Sequence, residues 1–166
     1  MRLSPALPHP TALALMGLLL AAPSTWADES FKARLSNDQE VPPTTADATG
    51  KFKIRFNKAH TEAEMTLTVK DGQRIRQAHL HCGPVGVNGP IVVFIAGDNA
   101  AGYDVDGKWI SNAIATDTSI SNPACGTTLA ALADSIRAGN VYVNVHSVAS
   151  PGGAIRGQLE PADDDD

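Results

Sequence analysis

The sequence predicts one mostly β domain, an antiparallel β-sandwich or barrel-like Greek-key domain with one short helix. Three observations carry that prediction. Apolar residues recur with a period of two over most of the chain, turn-forming residues punctuate the runs, and a single segment switches to a helical period. Many short strands with regular turn signals and one helix fit a sandwich or a barrel-like relative.

The elements follow in order. Phe31, Ala33 and Leu35 alternate with Lys32, Arg34 and Ser36. Phe52, Ile54 and Phe56 alternate with Lys51, Lys53 and Arg55, and Ala63, Met65, Leu67 and Val69 alternate with polar residues. Each run reads as a strand with one buried and one wet face. Pro42-Pro43 forces an extended connection between the first two. Asp71-Gly72 reads as a turn after the third, with a fourth strand from Ile75 to Cys82. Gly83-Pro84, Gly86 and Asn88-Gly89 make a loop tolerant of unusual backbone angles. The run Ile91 to Ile95 is apolar on both faces and suits a buried strand. Asp106-Gly107 reads as a turn, with a further strand within Trp109 to Ile120. Leu129, Leu132, Ala133 and Ile136 share a helical face, Thr128 is an N-cap and Gly139 a stop, so a helix is expected over about Leu129 to Ala138. Val141, Val143 and Val145 then alternate with Tyr142, Asn144 and His146, and Pro151-Gly152-Gly153 turns the chain into a last strand, Ala154 to Leu159.

Residues 1–27 read as a secretory leader. Arg2 precedes an apolar run from Thr11 to Ala22, Pro23 and Ser24 break it, and Thr25-Trp26-Ala27 offers small residues at the inspected positions. The run falls short of the roughly 20 residues that span a bilayer, and no later stretch is apolar enough to do so. The expected organisation is therefore a leader over 1–27, a domain over 28–160 and an acidic tail over 161–166, in a secreted or periplasmic protein. The net charge of −5, made more negative by loss of Arg2, argues against nucleic acid as the main partner. Asp163–Asp166 is expected to be a solvated, disordered tail.

Two cysteines remain, Cys82 and Cys125. An even pair in an oxidising compartment points to a disulfide, which would stabilise the fold by around 3–4 kcal/mol. A thiolate metal ligand at Cys82 is the competing reading.

His79 and His81 lie two apart on an expected strand and so share a face, opposite Ala78, Leu80 and Cys82. Imidazole pairs suit copper, zinc, iron or nickel. His146 lies opposite the valines of its own strand and is the natural third ligand if the two strands are neighbours. The alternative is structural: paired histidines that bond carbonyls of the Gly-rich loop or pack against Tyr142. His60 falls in a turn and is expected at the surface. Ser147 cannot pair locally with His146, because adjacent strand residues point apart. The glycines at 83, 86 and 89 lack the Lys-Ser/Thr of a phosphate loop.

Several segments together resemble a known family. They are Leu35-Ser36 with Glu40-Val41-Pro42-Pro43, then Ala78-His79-Leu80-His81-Cys82-Gly83, then Val87 to Val93, and finally Ala138 to His146 with Pro151 to Leu159. In this order they resemble the CHRD domain, named after chordin, over about Phe31 to Leu159. The family pattern favours Glu or a similar residue where this chain has Ala154. The resemblance implies an extracellular or periplasmic β domain without an agreed catalytic role. It places His79, His81 and His146 in the signature segments, with Glu40 near them. The His-x-His strand is also similar to the copper-binding strand of copper/zinc superoxide dismutases, but the rest of that ligand set is missing and dismutase activity is not expected. The expected function is non-catalytic: binding of a transition metal, copper first, through His79, His81 and His146, or else a metal-free module that contacts an extracellular protein.

Overall fold

The computed structural model describes residues 29–162. The leader expected over 1–27 and the aspartates 163–166 lie outside the described residues. Among the described residues no helix is long and apolar enough to cross a membrane.

Strands β1 (Glu29–Leu35) and β2 (Thr49–Phe56) pair antiparallel, from Glu29 opposite Phe56 to Leu35 opposite Gly50. Phe31, Ala33, Leu35, Phe52, Ile54 and Phe56 enter the core, and the basic residues between them point outward. Burying each of the larger apolar side chains contributes about 1.5–3 kcal/mol.

Strand β3 runs unbroken from Ala63 to Cys82. The turn expected at Asp71-Gly72 is instead a kink inside it. Asp71 (φ 54°) and Arg74 (φ 47°) adopt left-handed backbone, and the register shifts on either side of Gly72. A Cβ on Gly72 would lie 2.8 Å from Val69 Cγ1 and 2.9 Å from the Val105 carbonyl oxygen. The glycine serves close backbone approach in a bulge, a use that its turn propensity hides. The kink gives one strand two sets of neighbours. Its first half lies between β2 and β5 (Tyr103–Ala115), and its second half between β4 (Ile91–Ala96) and β6 (Val141–Ser147).

Asp106-Gly107 likewise lies within β5, where Gly107 (φ 146°) pairs with Val69, so this strand begins before the expected Trp109 and ends at Ala115. In β4 the expectation of two buried faces fails at Phe94, which is 54% exposed. Strand β6 continues into β7 (Ile155–Gln158), and β8 (Glu160–Pro161) pairs with β1. Reciprocal backbone hydrogen bonds of 3.0 and 3.1 Å join Ser36 to Arg156. The path β7-β6-β3-β2-β1 therefore returns on itself as a nearly closed, barrel-like antiparallel sheet.

Helix α1 (Leu129–Arg137) forms as its periodicity requires, one residue shorter than expected. The Thr128 side chain accepts from the Ala131 N–H at 3.2 Å, Gly139 (φ 72°) follows the C-terminus, and Leu129, Leu132, Ala133 and Ile136 are buried. Cys82 and Cys125 form a disulfide that fastens the segment before α1 to the end of β3. This removes Cys82 as a thiolate ligand. His60 is half-buried, contrary to expectation: its Nε2 lies 3.2 Å from Glu29 and its ring packs edge-on to Phe56.

Strand β6 is buried at all seven positions. Val141, Val143 and Val145 join the apolar core, while Tyr142, Asn144 and His146 are covered on the opposite side. The sheet thus carries a second, polar interior on its outer face.

Candidate metal centre

The polar interior is built from three adjacent strands. Antiparallel pairing sets His81 opposite Tyr142 and Tyr142 opposite Gln158. The next row is His79, Asn144 and Arg156, and His146 follows opposite Gln77. Alternation sends Ala78, Leu80, Val143 and Val145 to the core and all of these polar residues to the other face. The adjacency of the two histidine strands, assumed from the sequence, is observed.

His79, His81 and His146 are 1%, 8% and 5% exposed. Their face is covered, not wet. The loop after Cys82 lies over it: Gly89 N–H donates to the Tyr142 hydroxyl at 3.1 Å. Arg156 donates to the carbonyls of Pro84 and Val87 at 3.1 and 2.9 Å and to Asn88 Oδ1 at 3.2 Å. Asn88 in turn donates to the Val41 carbonyl at 2.7 Å, tying this loop to the segment that carries Glu40. A Cβ on Gly89 would fall 1.7 Å from the Cys82 carbonyl oxygen, so only glycine allows the loop to sit this close.

The carbonyl partners fix the tautomers. His81 Nδ1 lies 2.9 Å from the Gly89 oxygen and His146 Nδ1 lies 3.0 Å from the Pro151 oxygen. A carbonyl only accepts, so both Nδ1 atoms carry protons and both neutral rings present an Nε2 lone pair. His146 Nε2 is 3.1 Å from His79 Nδ1. With His146 accepting, His79 donates from Nδ1 and its own Nε2 is basic. The Nε2 atoms of His79 and His81 are buried without a hydrogen-bond partner. One ligand nitrogen from each of the three rings lies within 4.8 Å of the others.

Electrostatics keeps the rings neutral. His79 is pushed down to about 4, first by burial and then by His146 and His81. Burial also lowers His81 and His146, against the opposing effect of their carbonyl partners. Neutral imidazole is the form that ligates a cation. Nitrogens bound at 2.0–2.1 Å stand at most about 4.2 Å apart, so a pair 4.8 Å apart must close by at least about half an ångström. Backbone carbonyls bonded to the far nitrogens are the outer-shell support common to metal-bound histidines.

Aromatic and charged neighbours complete the surroundings. Tyr142 stacks on His81 with centroids 4.9 Å apart, and the Arg156 guanidinium carbon lies 3.4 Å from the Tyr142 ring centre. Phe94 meets His79 edge-on at 4.8 Å. Glu40, 5% exposed, accepts from Asn144 at 3.3 Å, and burial raises its carboxyl from 4.5 to about 7. Both earlier readings of the histidines thus have a physical counterpart, since His81 also bonds the Gly-rich loop and packs on Tyr142. Arg156, Asn144 and Phe94 were not picked out from the sequence. The available signal was the alternation of Arg156 with Ile155 and Gly157, which places it on the polar side.

The family model of the CHRD domain matches residues 31–159. The chain belongs to the CHRD domain family. The match runs from within β1 to the end of β7 and includes all three histidines of this CHRD domain. No curated protein and no solved structure matches it.

Proposed function

We propose that this protein is an exported CHRD domain that binds one transition-metal ion, copper in preference, through His79, His81 and His146. The observation that carries the proposal is the convergence of three neutral, buried imidazoles, two with an Nε2 that has no other partner. An all-imidazole set suits copper, zinc, nickel or iron, and among divalent first-row ions copper binds such sites most tightly. The task is to hold the ion, without turnover: rings and loop backbone enclose the histidines, leaving little room for an organic substrate. Export is supported by the leader pattern in 1–27 and by the disulfide, a bond typical of oxidising compartments.

Titration of the metal-free protein with Cu(II), followed calorimetrically and by electron paramagnetic resonance, is expected to give about one equivalent with nitrogen ligation. A His79→Ala/His81→Ala variant that takes up copper as the parent does would refute the assignment.

A second reading has its own support. The His81 bond to Gly89 and its stacking on Tyr142 would order the loop in a metal-free interaction module. Under that reading His81→Ala lowers thermal stability equally with and without a chelator. Under the metal reading most of the difference vanishes once the parent is stripped of metal.

A further inference from the structure

We propose that the outer face of β1, β2, the first half of β3 and β5 binds an anionic polysaccharide, one bearing carboxylate or sulfate groups. The face lies on the part of the sheet where the core residues Phe31, Ala33, Phe52 and Leu67 alternate with outward cations. Register arranges those cations in rows. Lys32 stands opposite Lys53, which stands opposite Thr66. In the next row Arg34, Lys51, Thr68 and Lys108 follow one another across four strands. Thr49 opposite Lys70 makes the third.

Like charges directly opposite one another destabilise a sheet. Here two such pairs, Lys32 with Lys53 and Arg34 with Lys51, occupy consecutive rows. Seven of the chain's 13 Lys and Arg residues, Arg55 included, gather on this face although the net charge is −5, so the cluster is not a sample of a basic surface. The face is also hollowed. A depression of about 280 Å³ is lined by Lys32, Arg34, Lys51, Lys53, Thr66 and Thr68. A second, of about 370 Å³, shares Arg34, Lys51 and Thr68 with it and adds Thr49 and Lys70. Together they form a trough about 13 Å long, from the strand rise over three alternate positions.

Neighbouring acids are few and lie at the edges. Glu160 is in register with Lys32, Asp106 lies 3.3 Å from Lys70, and Glu64, in the row beyond Thr66, lies 2.7 Å from Arg55. Lys32 and Lys53 have further partners within the chain, so the argument rests on the concentration of charge and the trough. Threonine hydroxyls between the cations suit sugar hydroxyls, while Arg and Lys suit carboxylate and sulfate. Phe52 is the one aromatic residue at either hollow, and its side chain is buried in the core, so the trough presents no ring as the stacking platform that single-stranded nucleic acid uses. Ala162 also lines the larger cluster of cations and is followed directly by Asp163–Asp166, a built-in polyanion that the test must separate from an external one.

The test uses the chain with its tail and the same chain ending at Ala162, with oligogalacturonate and dextran sulfate as probes, at low and high salt. Saturable binding that high salt abolishes is expected. Arg34→Gln/Lys51→Gln should bind at least about tenfold more weakly, the loss of roughly two surface charge contacts. Its melting temperature should equal or exceed the parent's, because a like-charged pair is relieved. Lys58→Gln, away from the trough, and His79→Ala/His81→Ala should bind as the parent does, which separates this site from the metal reading. Equal binding by the Arg34/Lys51 variant, or none by either length of chain, overturns the proposal. Binding by the shortened chain alone would assign the trough to the Asp tail in the intact protein, and binding only to anionic lipid vesicles would assign it to a membrane. Either result also overturns it.

Discussion

Glu40 gives the most quantitative prediction. Its carboxyl is buried and its Oε1 has no partner, while Oε2 accepts a single long hydrogen bond from Asn144. Burial raises it from 4.5 to about 7, with the Asn144 bond and the Arg156 charge opposing only in part. The folded state therefore keeps a proton that the unfolded state gives up. Below pH 4.5 both states are protonated and the group is neutral to stability. As pH rises through 4.5 the unfolded chain ionises first, so stability falls until the folded carboxyl ionises near pH 7. At 1.36 kcal/mol per tenfold, the full penalty above that pH is up to about 3 kcal/mol. Glu40→Gln removes the ionisation and keeps an oxygen for Asn144. Its amide adds an offset that does not vary with pH. Urea unfolding of parent and variant, followed by circular dichroism from pH 4 to pH 8, isolates the effect. The stability of the variant relative to the parent should climb by up to about 3 kcal/mol across that range, mostly between pH 4.5 and 7. A difference that stays flat with pH would show that Glu40 ionises normally and that the burial argument is wrong.

Other outcomes follow from the same face. All three histidines are shifted below their usual value, so the fall in copper affinity on acidification, measured by competition, should begin below pH 6.5; a decline beginning at 6.5 would contradict their burial. Gly89→Ala forces the loop away from the Cys82 carbonyl and should weaken copper binding without unfolding the β1–β2 sheet, as hydrogen exchange can report. Replacing Cys82 and Cys125 together by alanine should cost up to about 4 kcal/mol in urea unfolding, from the chain entropy of the closed loop.

The strands with one face in the core were legible because alternation reports burial directly, as Phe31, Ala33 and Leu35 illustrate. The helix was legible for the same reason at its own period, with Thr128 marking the start. The kink at Asp71–Arg74 was not. A local Asp-Gly signal is the same whether the chain reverses or merely bulges, and the choice is made by β5 and β6, which flank the two halves of β3. The histidine grouping was half legible. Period two put His79 and His81 together, but what covers them depends on Arg156 and Asn88, remote in sequence and joined only by tertiary packing. Phe94 escaped because an apolar run cannot reveal that one of its members faces solvent.

The doubly covered β6 has a consequence for how the chain finds its pairing. A strand with one wet face already resists misalignment, because a one-residue slip turns its apolar side chains from the core into water. Sliding β6 by one residue along β3 would drive Asn144 and His146 into the valine-lined core and lay Val143 and Val145 against Arg156 and Glu40. Both sides of the strand would be wrong at once. The ionisable groups gathered there therefore act as proofreaders of alignment, and the same side chains that can grip an ion also leave the barrel a single way to close.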